Sequence, residues 1–471
     1  MKFRISACIA IAILFSHAVV SMAQTNTLYF MNKIPGRTAE NPGFIPCQDF
    51  YISLPSVYAG MGNNSFAMND LLKSVNGSTV SAFDKGADYQ SFLRTLKPST
   101  EIKSEAKLNI LNFGFRKNKN YFSLGLAERV VSSASVPKDM FRLLLEGVDQ
   151  NSTSQHFNLS SLAIDATAYV ETSFGYARQV TPRLSVGGKL KLLFGQLNNK
   201  MSFSQLSLNG TEAQTTMTGA GTMRLSIPGK IYADKEGYPD FANMHGDDFG
   251  PTKFKGTGLG IDAGAAYKLT KDLTISASIT DLGFIHWQKS DWEGSVKANT
   301  TFNNMSFAVN GDNEFGAVLD TLKQSLHFKP NGKAYNSSLT AHVRVGAEYS
   351  ILKDKIGFGL LYDSRFASSA TSGTITASAN LRPLSWINLS VGYSLINNEG
   401  SNIGAGLNII AGPFNWYVIT DYLPLSYAEG GIPKLKQCNV QTGLSFAFSS
   451  PKKKVHKEKV EQTPPPPTPG N

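Results

Sequence analysis

Charged side chains recur in this chain at alternate positions of otherwise apolar segments. In a β-strand that spacing puts the charges on one face and the apolar residues on the other. Between Ala163 and Ala177 the polar set holds Asp165 and Glu171, opposite Ile164, Ala166, Ala168, Val170, Phe174 and Tyr176. Lys189 and Lys191 stand opposite Leu184, Val186, Leu190, Leu192 and Phe194 in the next segment. Asp262, Lys268, His342, Arg344, Glu348, Asp363 and Arg365 occupy the equivalent phase further on. Lys189 and Lys191 lie on the strand beside Asp165 and Glu171, so these four are placed to pair across a hairpin. Such a set either fills a lumen with structural ion pairs or meets a solute passing through it.

Other chemistries find less in the sequence. Asp234, Glu236, Asp240, His245, Asp247 and Asp248 crowd one long loop and offer oxygen ligands, but their spacing matches no calcium loop, so a solvated acidic loop is expected. The histidines form no His-x-x-x-His pair, and no Gly-x-Ser-x-Gly elbow occurs. Thr257 to Gly264 is glycine-rich like a phosphate loop, yet its apolar residues alternate and no helix follows, so it reads as a strand. No catalytic residue, metal or cofactor is expected, and the chain is not read as an enzyme.

The elements that position these residues follow from the same periodicity. Met1 to Ala23 has Lys2 and Arg4, an apolar run and a small-x-small ending, the pattern of a secretory signal. No later stretch approaches 18 consecutive apolar residues. Strands are expected near residues 48–59, 106–116, 120–132, 159–178, 183–200, 256–269, 273–287, 339–350, 355–366, 373–382, 386–397, 403–411, 413–423 and 437–448. Their connections alternate between tight turns, such as Val180-Thr-Pro-Arg183 and Gly412-Pro413, and long segments near 61–105, 133–158, 201–255 and 288–338. Alternating apolar faces also suit a soluble sandwich. Export without a membrane helix, together with short turns on one side and long loops on the other, points instead to an all-β transmembrane antiparallel barrel of about 14 strands, with short periplasmic turns and long extracellular loops.

Composition agrees with interleaved lipid-facing and water-facing residues: 42 Gly, 29 Phe, 17 Tyr, 17% charged residues and a mean hydropathy of −0.15. The net charge of +10 falls to +8 without Lys2 and Arg4, and Pro451 to Asn471 supplies +3 of that, so no nucleic-acid partner is expected. The segments are a signal peptide over 1–23, a barrel over 24–448 and a basic, Pro-rich periplasmic tail over 449–471 that cannot build a core. That tail is either a free end or a site for cell-wall polymer or an acidic periplasmic protein. Pro137 to Gly147 reads as a short amphipathic helix in an outer loop, serving either as a lid or as a greasy capture patch. Cys47 precedes the first strand and Cys438 begins the last, so their sulfurs fall at opposite membrane edges and two free thiols are expected.

Several stretches resemble an uncharacterised family of Gram-negative outer-membrane barrels, similar in fold to the long-chain fatty-acid transporter type. They are Asn41-Pro-Gly-Phe44, Tyr121-Phe-Ser-Leu-Gly125, Pro137-Lys-Asp139, Leu143 to Gly147, Val186 to Gly195 and Asp281-Leu-Gly-Phe-Ile-His-Trp287. The final strand, ending at Phe448, is similar to those that the barrel-insertion machinery recognises. The resemblance implies a barrel in the outer membrane, in contact with its lipid, rather than a particular activity. No extended amino-terminal plug is expected. Two functions stand open: a channel or transporter for a small lipophilic solute, or a non-transport barrel that scaffolds a surface or secretion assembly.

Overall fold

Every expected strand forms, and each keeps its apolar face outward. The computed structural model describes residues 26–449 apart from 85, 149–153, 212, 228–231, 234–238, 241–252, 289–291, 304–331, 368–370 and 397–399. The expected signal peptide, the tail Pro451 to Asn471 and the loop residues Asp234, Glu236, His245, Asp247 and Asp248 lie outside the described residues. Asp240 is described only within the short strand Pro239–Asp240.

The chain makes a closed, 14-stranded antiparallel barrel. In order the strands are β1 (Phe50–Ser53, resuming as Ser56–Asn63), β2 (Ser99–Lys117), β3 (Asn120–Pro137), β4 (Ala163–Gln179), β5 (Leu184–Gly210), β6 (Gly256–Lys268) and β7 (Leu273–Trp287). They continue as β8 (Ala341–Ile351), β9 (Ile356–Phe366), β10 (Thr371–Leu381), β11 (Ile387–Ile396), β12 (Gly400–Ala411), β13 (Phe414–Thr420) and β14 (Gln437–Phe448). Neighbours in sequence pair throughout, and β14 closes onto β1 through Phe50–Phe448 and Val57–Thr442. Closure leaves no sheet edge exposed to lipid, where unpaired backbone groups find no water.

Outward residues such as Val345, Leu360, Ile375 and Val391 are exposed to what is the hydrocarbon of the bilayer. Exposed aromatic rings mark the periplasmic rim at Phe50, Phe115, Phe122, Tyr176 and Phe448, where amphipathic headgroup contacts begin. The tight turns there use left-handed residues: Asn118 after β2, Leu352, Lys353 and Asp354 after β8, and Gly412 after β12.

On the outer side several strands outgrow the membrane. A spanning strand needs roughly 10 residues, whereas β5 has 27. Its upper half pairs with Gln214–Ser226, which in turn pairs with Trp292–Asn303. The two longest described helices sit on this outer part, α1 (Tyr89–Thr95) and α2 (Lys138–Glu146). Asp88 caps α1 by accepting from the Ser91 backbone N–H at 3.3 Å, and that bond holds its carboxyl below the usual range. Met140, Phe141 and Leu143 of α2 are buried, Met140 and Leu143 in a core with Phe157, Leu206 and Met217. The helix therefore packs as a lid rather than presenting an open greasy face.

The expectation of an empty amino-terminal region is corrected by the structure. Asn26–Phe30 and Pro35–Ala39 form 3-10 turns, and the segment from Asn26 to Phe44 folds up inside the lumen. Leu28, Tyr29, Phe30, Met31 and Ile34 are almost wholly buried. The segment lacks the period of a strand or a long helix, which is why alternation did not reveal it. The wall makes room by presenting glycine where the plug comes closest. A Cβ on Gly187 would overlap the Pro42 carbonyl, one on Gly359 the Phe30 ring, and one on Gly404 the Thr27 hydroxyl. Polar contacts fix the plug: Asn41 Nδ2 donates to the carbonyls of Ala265 and Ala277, both at 3.2 Å, and Asn41 Oδ1 accepts from the Gly43 N–H at 2.8 Å.

Candidate functional site

Above the plug the barrel wall supplies a charged interior. Arg129 of β3 meets Glu171 of β4 at 3.1 Å and Asp281 of β7 at 3.1 Å. Lys191 of β5 meets Asp281 at 2.5 Å, Asp262 of β6 at 2.8 Å and Glu171 at 3.9 Å. Five buried groups on five neighbouring strands thus form one network, three carboxylates against two cations. Burying such charges is tolerable only because each has a partner within reach.

A bulge makes the network possible. The register between β6 and β7 shifts between Ile261 and Ala263, and Asp281 adopts a left-handed backbone with φ of 60°. The bulge turns Asp281 into the lumen next to Thr280, where its N–H donates to Asp262 Oδ1 at 2.7 Å. Asp is one of the few residues that accept such a backbone without large strain.

A second cluster ties the wall to the plug. Arg344 of β8 lies 3.2 Å from Asp363 of β9 and 2.9 Å from Glu40 of the plug. His342 Nδ1 stands 3.3 Å from Asp363. Nearer the periplasm Arg382 pairs with Glu348, and its Nη2 also donates to the Phe30 carbonyl at 2.9 Å.

These groups surround two adjoining chambers. The lower has the plug residues Ile34, Pro35 and Glu40 as its floor. The upper is edged by Lys103, Asp165, Thr167, Tyr169 and Arg365. Glu105, Arg129, Asp281 and His342 border both, the boundary here called the neck.

The sequence candidates are distributed unevenly over this interior. Glu171, Lys191 and Asp262 share the first network, and His342, Arg344 and Asp363 share the second. Arg365 reaches Glu105 at 3.9 Å. The expected four-way pairing is corrected: Asp165 stands opposite Lys200 in the register and pairs with it at 3.8 Å, far up the strand from Lys191. Lys189 lines the lower chamber opposite Asp262 in the register, with no carboxylate at ion-pair distance among the described residues. Lys268, expected to face the lumen, ends β6 and is exposed at the periplasmic rim.

Glu40, Glu105, Lys107, Arg129, Asp281 and Arg382 belong to the interior but were not singled out by sequence. Arg129 follows the inward phase of Tyr121, Gly125 and Ala127, so the rule that found Lys191 finds it too. Asp281 carries a subtler sign. Outward residues run Ile275, Ala277, Ile279 before it and Leu282, Phe284 after it, a change of phase that marks the bulge.

Between β1 and β2 the wall is less regular than elsewhere. Leu54-Pro55 interrupts β1, since proline offers no N–H to the ladder. Beyond the break, β1 registers with β2 only at Ser56–Asn109 and Asn63–Ile102, while Val57–Gly62 pairs with β14. Ser56, Tyr58, Glu105, Lys107 and Asn109 at this seam all line the lower chamber.

A family of unknown function, DUF5723, matches residues 42–421, and the chain belongs to it. None of the curated proteins matches the chain. Among solved structures it is similar to the toluene transporter TbuX of Ralstonia pickettii, at 11% identity and a TM-score of 0.44, covering 88% of this chain and 94% of that one. A FadL homologue of Pseudomonas aeruginosa is 11% identical with a TM-score of 0.42, covering 91% and 99%. The translocator domain of the autotransporter NalP from Neisseria meningitidis is 8% identical with a TM-score of 0.32, covering 85% and 89%.

Proposed function

We propose that this member of the family sits in the outer membrane and passes a small lipophilic solute, which enters from the outer side and leaves the lower chamber sideways through the seam between β1 and β2. The observation that carries this reading is the coincidence of the chamber with the interrupted ladder: Tyr58 and Lys107 line the one and flank the other. Each missing backbone bond lowers the cost of parting the two strands. The plug blocks the straight route to the periplasm, so a lateral exit suits a solute that partitions into hydrocarbon.

The test is a lock. The register set at Ser56–Asn109 brings Ala59 opposite Ala106 on the outer face. Cysteines at both positions, in a background without Cys47 and Cys438, are expected to cross-link under oxidation and stop uptake of a radiolabelled aromatic hydrocarbon, with reduction restoring it. Uptake that persists through the locked seam overturns the lateral route. A protein that does not fractionate with outer membranes overturns the placement itself.

The second reading, a sealed barrel that scaffolds a surface or secretion assembly, draws on the ion pairs at the neck. It predicts no solute uptake and a stoichiometric protein partner after mild extraction.

A further inference from the structure

At its periplasmic edge the lipid-facing wall ends in a row of rings. Phe50, Phe115, Phe122 and Tyr176 stand opposite one another in the register of the successive strands β1 to β4, and all are exposed. Phe122 stacks on Phe115 with ring centroids 5.4 Å apart and meets Tyr176 at 5.4 Å. Two residues nearer the periplasm, and therefore on the same face, the register brings Lys117 opposite Asn120 and Asn120 opposite Arg178. Two residues the other way, Phe113, Leu124 and Phe174 stand in line. Strands β2, β3 and β4 thus present an apolar row, an aromatic row and a cationic row, each about 7 Å below the last.

The charge below the rings has no acidic complement. Lys117, Lys119 and Arg178 are exposed, and residues 115–121 and 175–186 include neither Asp nor Glu. Asp49, just before β1, pairs with Arg116 at 2.9 Å. Asn120 Oδ1 accepts from the Tyr176 hydroxyl at 2.9 Å, which leaves the amide N–H groups of Asn120 to donate. Neighbouring strands lie about 4.8 Å apart, so the Cα atoms of Lys117 and Arg178 are about 10 Å apart. Both side chains are long enough to meet one group over Asn120. Further round the rim the lysines have acidic company: Lys271 pairs with Asp272 at 3.9 Å, and Lys353 and Lys355 flank Asp354. The turn residues Pro383 to Ser385 and Gly412-Pro413 are uncharged.

We infer that Lys117, Asn120 and Arg178 hold the phosphate of an anionic phospholipid of the periplasmic leaflet, its glycerol end against Phe115, Phe122 and Tyr176 and its acyl chains over the apolar row. The inference rests on the outer-membrane placement, with the short turns in the periplasm, and goes beyond it by assigning a lipid site to one sector of the wall. A phosphate accepts charge-assisted bonds from an ammonium and a guanidinium together. The uncompensated positive charge selects a headgroup without a cation of its own, because an ammonium-bearing headgroup would bring like charge towards Lys119. A soluble acidic partner would account for the cations but would leave the exposed rings and the apolar row above them without a role.

Native mass spectrometry of the full-length barrel in neutral detergent tests this with phosphatidylglycerol and phosphatidylcholine of identical acyl chains. The wild-type barrel is expected to retain phosphatidylglycerol about tenfold or more tighter than phosphatidylcholine, a difference of roughly 1.4 kcal/mol. Lys117→Gln with Arg178→Gln is expected to erase that preference, and Lys117→Arg with Arg178→Lys to keep it. Lys353→Gln with Lys355→Gln removes the same number of charges elsewhere on the rim and is expected to leave the preference in place. Glycerol phosphate in large excess is expected not to displace the lipid. Heat-modifiable migration on gels reports that each variant is folded. Equal binding of the two lipids, binding of neither, a preference that survives Lys117→Gln with Arg178→Gln, or one lost equally in Lys353→Gln with Lys355→Gln overturns the site and leaves the outer-membrane placement standing. Displacement by glycerol phosphate overturns the lipid as occupant. Recovery of the native protein in the soluble periplasm overturns the placement and the site together.

Discussion

Glu40 of the plug and Arg344 of the wall are joined by an ion pair of 2.9 Å, and Arg344 is at the same time held by Asp363 at 3.2 Å. The plug thus hangs on a cation that keeps a partner whether or not the plug is seated. Release of Glu40 strands no arginine in the lumen. A latch of this kind opens at lower cost than one whose departure leaves a bare buried charge.

Glu40→Gln is accordingly expected to loosen the plug without harming the barrel. A hydrogen bond to a charged group contributes about 1.5–3 kcal/mol, so the variant's reconstituted barrel should show a higher small-ion conductance than the wild type. Unchanged conductance, with the variant folded, shows that the other contacts hold the segment alone.

Gly187→Val tests the plug from the other side. Valine suits a strand, but its side chain would occupy the place of the Pro42 carbonyl. The barrel should still assemble and migrate as folded, while residues 26–44 become open to protease added from the periplasmic side. A variant as resistant as the wild type refutes the close approach.

Lys191→Met removes the cation shared by Glu171, Asp262 and Asp281. Breaking a buried ionic group by deleting one partner costs about 3–5 kcal/mol, so the urea midpoint of unfolding should fall well below that of wild type. Asp165→Asn, which weakens a 3.8 Å pair with the exposed Lys200, should shift the midpoint much less. Similar losses in both variants contradict the network drawn above.

Val345→Arg and Thr340→Arg separate the lipid face of β8 from the lumen beside the start of that strand. Val345 is 53% exposed toward lipid, whereas Thr340 borders the upper chamber. Arginine at the bilayer midplane costs roughly 2–4 kcal/mol, so the first variant should accumulate unfolded in outer-membrane preparations and the second should insert. Equal damage at the two positions would place the strand in the wrong phase.

The wall was legible in the sequence because one physical demand, apolar out and polar in, repeats along every strand. That demand alone identified Glu171, Lys191, Asp262, Arg344 and Asp363 as inward groups. It gave no pairing, since partners are set by register: Asp165 and Lys191 lie on adjacent strands but at different heights. Asp281 escaped because a bulge broke the rule locally, leaving only a phase change as its trace. The plug escaped for a different reason. Leu28, Tyr29, Phe30 and Met31 are apolar at consecutive positions, and their complement is a set of glycines scattered over β5, β9 and β12 that acquires meaning only once the barrel is closed. The thiols of Cys47 and Cys438 are free, as their placement at the start of the barrel's first strand and its last led one to expect.

Thr27 of the plug is held from far along the chain. Its N–H and hydroxyl both donate to Asp421, at 3.0 and 2.6 Å, across 394 positions of chain. Asp421 follows β13 and is itself braced by Asn439 of β14 at 2.9 Å. Thr27 therefore finds its seat only once β13 and β14 are in register, whereas Glu40 and Asn41 of the same segment meet strands that precede those two in the chain. Loop closure over so long a span is slow compared with pairing of adjacent hairpins. Seating of Thr27 becomes a report on completion, because a barrel missing its final hairpin has nothing to hold that end of the plug.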